Sequence, residues 1–202
     1  MSDTKKLGRP RNFDYDTALL SAMKVFWEKG YDGASLRDLT SAMGITGPSL
    51  YAAFGDKSEL YLKTIDHYAS ADACTPLVAL EREEDIAEAL HAFLSEVIRS
   101  ATDHASGAKG CYIASSVVAV AGQVQGVSER VQAVITEAEN RLTARFQKEV
   151  DKGTLPPGFP ARARAAMLFD LRQGYMFRGR AGWSNEQMMK DVPDRVRMLL
   201  AE

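Results

Sequence analysis

The sequence predicts an all-α fold of about nine helices. Apolar residues recur at spacings of three and four along almost the whole chain, which is the period of an amphipathic helix. No stretch alternates apolar and polar residues convincingly, so no half-buried strand is predicted. Over 202 residues the composition is 46% hydrophobic and 26% charged, which is typical of a folded globular chain with a sizeable core.

The first two helices are predicted from their end signals. Asp14 or Asp16 is placed to cap the first helix, and Gly30 is placed to end it. Ser35, followed three residues later by Asp38, indicates a variant capping box. A short second helix therefore begins directly after Ser35.

The next two helices flank another glycine turn. A third short helix is predicted for residues 47–54. Gly55 and Asp56 then provide a turn and a cap for a longer fourth helix, which extends to about residue 73. The signals between residues 74 and 85 are mixed, and this stretch is expected to divide the chain into functional halves.

Five further helices are predicted in the second half, at about residues 86–98, 111–121, 127–150, 161–179 and 185–200. The segment 111–121 is apolar on all sides, and its valines and isoleucine would also permit a buried strand. It is predicted as a buried helix because a strand would have no partner in an all-helical chain. Pro193 is expected to kink or split the last helix.

Composition and motifs exclude several classes of protein. The longest apolar run, at residues 111–121, is shorter than the roughly 20 residues of a membrane-spanning helix, so no membrane partner and a cytoplasmic location are expected. The two cysteines, Cys74 and Cys111, form neither a disulfide framework nor a zinc motif. No HExxH, P-loop or GxSxG motif is present, so no catalytic residue, cofactor or metal is predicted. An enzyme and a helical protein-interaction module remain as rival classes.

The most specific pattern lies in residues 36–54, where two short helices flank a turn at Gly44. This spacing is typical of a helix-turn-helix. Its small core is expected to contain Leu39, Met43, Ile45, Leu50 and Phe54. The opposite face of the second helix presents Thr46, Ser49 and Tyr51, whose polar groups suit base edges and phosphates. A plain helical corner would have the same spacing.

Three consecutive stretches resemble the TetR (tetracycline repressor-like) family of regulators: FWEKGYDG at 26–33, ASLRDLTSAMG at 34–44 and ITGPSLYAAFGDKSEL at 45–60. The resemblance covers about the first seventy residues, and the remainder matches only in helix count and length. It implies a DNA-binding domain at residues 1–56, with a basic N-terminal arm, and a helical effector-binding and dimerisation domain at residues 57–202. The implied function is a repressor that dimerises on palindromic double-stranded operator DNA and is released by a small-molecule effector.

The resemblance also implies which residues meet DNA. Phosphate contacts fall on Ser35, Arg37 and Lys57, and major-groove contacts fall on Thr46, Gly47, Pro48, Ser49 and Tyr51. Gly47 and Ala52 stand where relatives often have a long polar residue, so base readout is expected to be sparse. We therefore expect Arg9 and Arg11, in the basic arm, to insert into the adjacent minor groove, as the arms of homeodomains do.

The second half is expected to dimerise and to enclose a pocket. By resemblance, the last two helices pair with those of a second copy through Leu168, Leu171, Tyr175, Met188, Met189, Val192, Val196 and Leu199, although the same residues could be intramolecular core. Candidate effector contacts are Tyr68, Phe93, Val97, Cys111, Tyr112, Ser115, Ser116, Phe146 and Met167, each of which could also be plain core. As an alternative mechanism, Cys111 would act as an oxidant- or electrophile-sensing thiol.

Overall fold

The computed structural model describes residues 13–70, 75–103 and 110–201, and all regular structure within these ranges is helical. The helices are α1 (Tyr15–Gly33), α2 (Leu36–Met43), α3 (Gly47–Phe54), α4 (Lys57–Ser70), α5 (Thr75–Arg82), α6 (Ile86–Thr102), α7 (Val127–Lys152), α8 (Ala161–Arg180), α9 (Asn185–Met189) and α10 (Val192–Leu200). A π-helical turn (Ile113–Val117) runs into a 3₁₀ turn (Val118–Val120), and together they are called the 113–120 segment. The predicted all-α fold is confirmed.

The capping signals of the N-terminal helices are confirmed in detail. Asp14 accepts a hydrogen bond from the backbone N–H of Thr17 at 2.7 Å and caps α1. Gly30 has φ 72°, in the region that favours glycine, and interrupts the regular helix there. Ser35 and Asp38 form a complete capping box at the start of α2.

Three elements differ from, or refine, the sequence prediction. Helix α5 occupies part of the stretch in which the sequence signals were mixed. Residues 113–120 are helical, as predicted, but they form π and 3₁₀ turns rather than a regular α-helix. The last helix is split into α9 and α10, and Pro193 lies in the first turn of α10, where a missing N–H breaks no intrahelical bond.

An aromatic cluster joins the first four helices to the second half of the chain. The ring of Tyr112, which directly precedes the 113–120 segment, lies 5.4 Å from Trp27 of α1 and 5.7 Å from Tyr68 of α4, measured between centroids. Its hydroxyl lies 3.0 Å from Oγ1 of Thr64 on α4, and Ser116 donates a hydrogen bond to the carbonyl of Trp27 at 3.2 Å. The two halves therefore share one buried contact surface.

Helices α6 and α8 approach closely at Gly179, and replacing this glycine with alanine is expected to destabilise the fold. A Cβ atom there would lie 2.5 Å from the carbonyl oxygen of Ala101 and 2.7 Å from its Cβ, so the backbones would have to separate. We expect Gly179→Ala to lower the free energy of unfolding by about 1–3 kcal/mol, measured by urea denaturation. Gly33→Ala is the control, because its Cβ would meet only Lys29 Cβ at 3.6 Å. Equal stability of the two variants would contradict the prediction.

Candidate nucleic-acid interface and cavity

The helix-turn-helix is built around a left-handed glycine. Gly44 has φ 64° and ψ 30°, a conformation that most side chains resist, and it turns the chain between α2 and α3. The core beneath the turn contains the residues that the spacing predicts: Leu39, Met43, Leu50 and Phe54 are buried, and Ile45 is partly buried. The ring of Tyr15 stacks on Phe54 at 4.5 Å between centroids and closes this core from α1.

Helix α3 lies on the surface of this unit. Leu50 and Phe54 anchor one side of the helix, while Tyr51 on the other side is 54% exposed. Thr46, Pro48 and Ala52 are also exposed, and Gly47 and Ser49 are half-buried. A Cβ atom at Gly47 would meet nothing within 4 Å, so the space in front of the first turn is open.

Several of the predicted contact hydroxyls already bond within their own helix. Oγ1 of Thr46 lies 2.9 Å from Oγ of Ser49 and accepts from the Ser49 backbone N–H at 3.4 Å. Oγ of Ser35 donates to Asp38 at 2.7 Å and accepts from the Asp38 N–H at 3.1 Å. By contrast, no hydrogen bond or ion pair with another described residue holds the side chains of Arg37 and Tyr51, which are both exposed.

Two lysine side chains lie at the starts of α2 and α4, the helices that precede and follow α3 in the chain. Lys57 is the first residue of α4, and its Nζ lies 4.5 Å from the ring centroid of Tyr31. Lys29 of α1 forms an ion pair with Asp38 of α2 at 2.7 Å. The hydrogen bond from Lys29 holds the pKa of Asp38 well below its ordinary value, so this carboxylate stays charged and is balanced by the lysine. The predicted arm residues Arg9 and Arg11 lie outside the described residues.

A cavity lies between the helices of the second half. Its empty volume is about 450 Å³, including a mouth that opens to solvent. Its wall comes from α5, α6, the 113–120 segment, α7 and α8, and consists of Leu77, Phe93, Ile113, Val134, Ile135, Ala138, Leu142, Phe169, Arg172 and Gln173. Of the side chains predicted from the sequence to contact an effector, Phe93 lines this cavity.

The other predicted effector contacts lie elsewhere. Tyr68, Val97, Cys111, Tyr112, Ser116 and Phe146 are buried in the core, Ser115 is half-buried, and Met167 is 50% exposed on α8. Helical spacing identifies the buried side of a helix, but it does not distinguish a side chain that fills the core from one that borders a cavity. Cys111 is only 3% exposed, which does not favour the alternative of a reactive thiol.

Burial sets the ionisation of the tyrosines in the aromatic cluster. It raises the pKa of Tyr61, whose ring centroid lies 6.3 Å from that of Tyr112, to about 12. It also raises the pKa values of Tyr68 and Tyr112 well above the ordinary value. These phenols are therefore neutral at physiological pH. They act as packing groups and hydrogen-bonding groups, as the Tyr112–Thr64 contact illustrates.

Sequence reasoning missed the polar end of the cavity. Arg172 and Gln173 of α8 line the wall, and Arg172 is buried. A signal was present, because Arg172 follows Leu168 by four residues and precedes Met176 by four, and both of these side chains are buried. An arginine on the apolar stripe of a helix is unusual enough to mark a specific role.

The residues predicted to form a dimer interface are mostly buried within the protomer. Leu168, Tyr175, Met188, Val192, Val196 and Leu199 are buried, and Leu171 and Met189 are half-buried. The reason is that α9 and α10 pack against α6, so their apolar sides are already covered. The large apolar side chains that remain exposed are instead Met167 and Phe177 on α8 and Met198 on α10.

Within residues 13–70, 75–103 and 110–201 there is neither a membrane-spanning helix nor a cluster of metal-binding side chains. No helix there is long and apolar enough to cross a membrane. No cluster of three or more His, Cys, Asp or Glu side chains is arranged to hold a metal ion in those ranges.

A compact helix-turn-helix with an outward-facing second helix, joined to a helical body with a cavity, defines a DNA-binding regulatory protein. Comparison with known proteins agrees. The sequence model of the family described as "Bacterial regulatory proteins, tetR family" matches residues 18–64. The chain is 28% identical over 194 residues to the HTH-type transcriptional repressor ComR of Escherichia coli K12, covering 96% of this chain and 92% of that protein. It is 33% identical over 110 residues to the repressor BdcR of the same organism, covering 54% and 55% of the two chains.

Solved structures extend the similarity over nearly the whole fold. The TetR family transcriptional regulator CifR, as a cysteine mutant complexed with 26-base-pair double-strand operator DNA, superposes with a TM-score of 0.84 at 29% identity, covering 94% of this chain and 98% of that one. The chain belongs to the TetR family of transcriptional regulators. The family consists of DNA-binding regulators, and the chain is one of these rather than an enzyme.

Proposed function

We propose that the protein is a repressor that binds operator DNA as a homodimer and is released when a small molecule occupies the cavity. The observation that supports this most directly is the outward-facing α3, with Tyr51 54% exposed on a helix-turn-helix whose core is fully packed. A rigid helix whose side chains project from the surface can enter a major groove without refolding. The related repressors ComR and BdcR and the operator-bound CifR support the same function.

In the proposed complex, α3 enters the major groove and its neighbours hold the phosphates. Tyr51 and the start of α3, at Thr46, Gly47, Pro48 and Ser49, face the bases. Arg37 and the N-terminus of α2 meet one phosphate, and Lys57 meets another, because a helix N-terminus and a lysine both attract anions. Arg9 and Arg11 of the basic arm are proposed to reach the minor groove.

The homodimer interface is proposed to lie on the exposed side of α8 and on α10. Met167, Gly174 and Phe177 are exposed and lie on one side of α8. Arg164 contacts Met167 Sδ at 4.0 Å and the carbonyl of Met198 at 3.2 Å, so the exposed Met198 of α10 continues this surface. Burying these side chains against a second copy would remove their apolar area from water, and would place two α3 helices about 35 Å apart.

The proposed release mechanism connects the cavity to the helix-turn-helix through the 113–120 segment. Ile113 lines the cavity, and its neighbour Tyr112 bonds to Thr64 of α4. Ser116 in the same segment bonds to the backbone of α1. A ligand that shifts this segment therefore biases the orientation of α1 and α4, and with it the spacing of the two α3 helices.

The proposed function is tested by selecting DNA from a random duplex pool with the full chain. We expect an enriched sequence with dyad symmetry, and two protomers or a multiple of two per selected duplex by analytical ultracentrifugation. Failure to enrich any sequence would contradict the proposal and favour the rival class of helical interaction module. An asymmetric site bound by one protomer would retain DNA binding and overturn the dimer.

Replacing Lys57 with glutamine is expected to weaken binding to selected and unrelated duplexes alike. Lys57 is proposed to contact phosphate, which carries no sequence information. A dimer would lose two such contacts, so the slope of log affinity against log salt should become shallower by about 2. The measurement is fluorescence anisotropy over a series of salt concentrations.

Lys148→Gln is the matched control for this charge change, because Lys148 is an exposed lysine on α7, far along the chain from the helix-turn-helix. It should leave the salt slope unchanged. If the two variants give the same slope, Lys57 is not a phosphate contact.

A further inference from the structure

Arg172 is a buried cation in the wall of the cavity. The residue is 8% exposed, and it lines the cavity together with its neighbour Gln173. The rest of the wall is apolar, with Phe93, Ile113 and Leu142 contributed by three other elements. One end of an otherwise hydrophobic cavity is therefore positively charged.

The guanidinium of Arg172 has few protein partners. It donates a hydrogen bond to Oε1 of Gln173 at 3.0 Å, and its Cζ lies 5.9 Å from the ring centroid of Phe169. No carboxylate of the described residues lies within ion-pair distance of it. Buried Tyr68 is close enough for the arginine to act on its pKa, but burial dominates and raises that pKa well above the ordinary value, so the phenol stays neutral.

Arg145 shows how the same chain treats a buried arginine that has only a structural role. Arg145 is 6% exposed, and it donates hydrogen bonds to the carboxylate of Glu149 and to the carbonyls of Glu83 and Glu84. Its charge is neutralised within the protein. Arg172 is buried to a similar extent but lacks a carboxylate partner among the residues that the structure describes, and a buried charge without a counterion is unfavourable.

We propose that the cavity binds a small apolar carboxylate, whose anionic group is held by the guanidinium of Arg172 and the side-chain amide of Gln173. The planar guanidinium matches a carboxylate with two parallel N–H donors. The apolar wall would receive the body of the ligand, and the mouth of the cavity, which opens to solvent, would admit it. The assignment of this ligand as the effector rests on the proposed function.

The test compares acids with their neutral amides. Hexanoate and benzoate are titrated into the full chain by calorimetry, with hexanamide and benzamide as controls of the same shape. We expect each acid to bind at least about tenfold more tightly than its amide, because hydrogen bonds to a charged group are stronger than those to a neutral one. Equal affinity for acid and amide, or no binding of either acid at millimolar concentration, would overturn the carboxylate site.

The variant Arg172→Met tests whether the preference for an acid over its amide depends on the Arg172 side chain. Methionine fills a similar volume and removes the unpaired charge, so the variant should fold and melt at the same or a higher temperature than the parent. It should lose most of the preference for the acid, and Arg172→Lys should keep part of it. If Arg172→Met retains the full preference, Arg172 does not hold the anion.

Binding to the selected duplex separates the two proposals. If the acids bind through Arg172 and weaken duplex binding of the parent but not of Arg172→Met, both proposals stand. If they bind through Arg172 but leave duplex binding unchanged, the carboxylate site stands and the release mechanism fails. If Arg172→Met binds the duplex normally and binds the acids with the same affinity as the parent, the proposed DNA binding stands and the carboxylate site fails.

Discussion

Replacing Arg145 with methionine is expected to lower the free energy of unfolding by about 3–5 kcal/mol, because it leaves the buried carboxylate of Glu149 without its main cation. Both side chains are almost fully buried. Arg145 also donates to the carbonyls of Glu83 and Glu84, at 3.2 and 3.1 Å, and so ties α7 to the connection between α5 and α6. Urea denaturation at neutral pH measures the loss.

The loss should depend on pH. Burial by itself raises the pKa of Glu149, but hydrogen bonds from Thr154, Arg145 and Lys152 outweigh it, so the pKa in the folded protein lies below the ordinary 4.5. A lowered carboxyl pKa contributes stability above the unfolded-state pKa, and this contribution disappears as pH falls through the folded-state pKa. The difference between the parent and Arg145→Met should therefore shrink below about pH 4.

Two variants separate the ion pair from simple loss of packing. Combining Arg145→Met with Glu149→Leu removes both charges, and should recover much of the stability that the single change loses. Arg130→Met, which breaks the exposed pair with Asp66, should cost less than about 1 kcal/mol. A double variant as unstable as Arg145→Met alone would show that the charge of Glu149 is not the cause.

Replacing Tyr51 with alanine is expected to reduce affinity for the selected duplex by at least about 30-fold, because one base-edge contact of about 1–3 kcal/mol is lost in each of two half-sites. The side chain is 54% exposed and holds no hydrogen bond within the described residues, so the free energy of unfolding should change little. Affinity for an unrelated duplex should fall much less, because only the selected sequence offers the specific contact.

Tyr51→Phe is the matched variant, because it keeps the ring and removes the hydroxyl. If the hydroxyl makes a hydrogen bond to DNA, this variant should lose part of the affinity; if the ring packs on a thymine methyl, it should lose almost none. Anisotropy with both duplexes distinguishes these outcomes. If Tyr51→Ala binds the selected duplex with unchanged affinity, Tyr51 is not part of the DNA interface.

The N-terminal half could be predicted from the sequence because its signals are local. The Asp14 cap, the Ser35 capping box and the left-handed Gly44 each act within a few residues, so the same stretch of sequence that carries the signal also carries the structure. The resemblance to the TetR family rested on residues 26–60, which include Ser35 and Gly44, and it identified the correct class of protein.

The second half was predicted less completely because its important relationships are between distant elements. Helix α5 was missed in a stretch with mixed signals, and it is held in part by packing against α6 and α7. The predicted effector contacts were mostly core, and the predicted interface residues were mostly covered by α6. Periodicity marks a buried face, but it does not identify the element that buries it.

The sequence by itself determined the first four helices, the caps of α1 and α2, and the helix-turn-helix, since hydrogen bonds and φ preferences at chain turns depend on neighbouring residues. Only the tertiary structure decided which buried side chains border a cavity, which apolar side chains remain exposed on α8 and α10, and which arginine has a carboxylate. Each of these depends on atoms that are far apart along the chain, such as Arg145 with Glu83 and Glu84. Arg172 illustrates the difference: its position on a buried stripe can be read from its spacing, but its lack of a carboxylate partner among the described residues becomes visible only when the helices are packed.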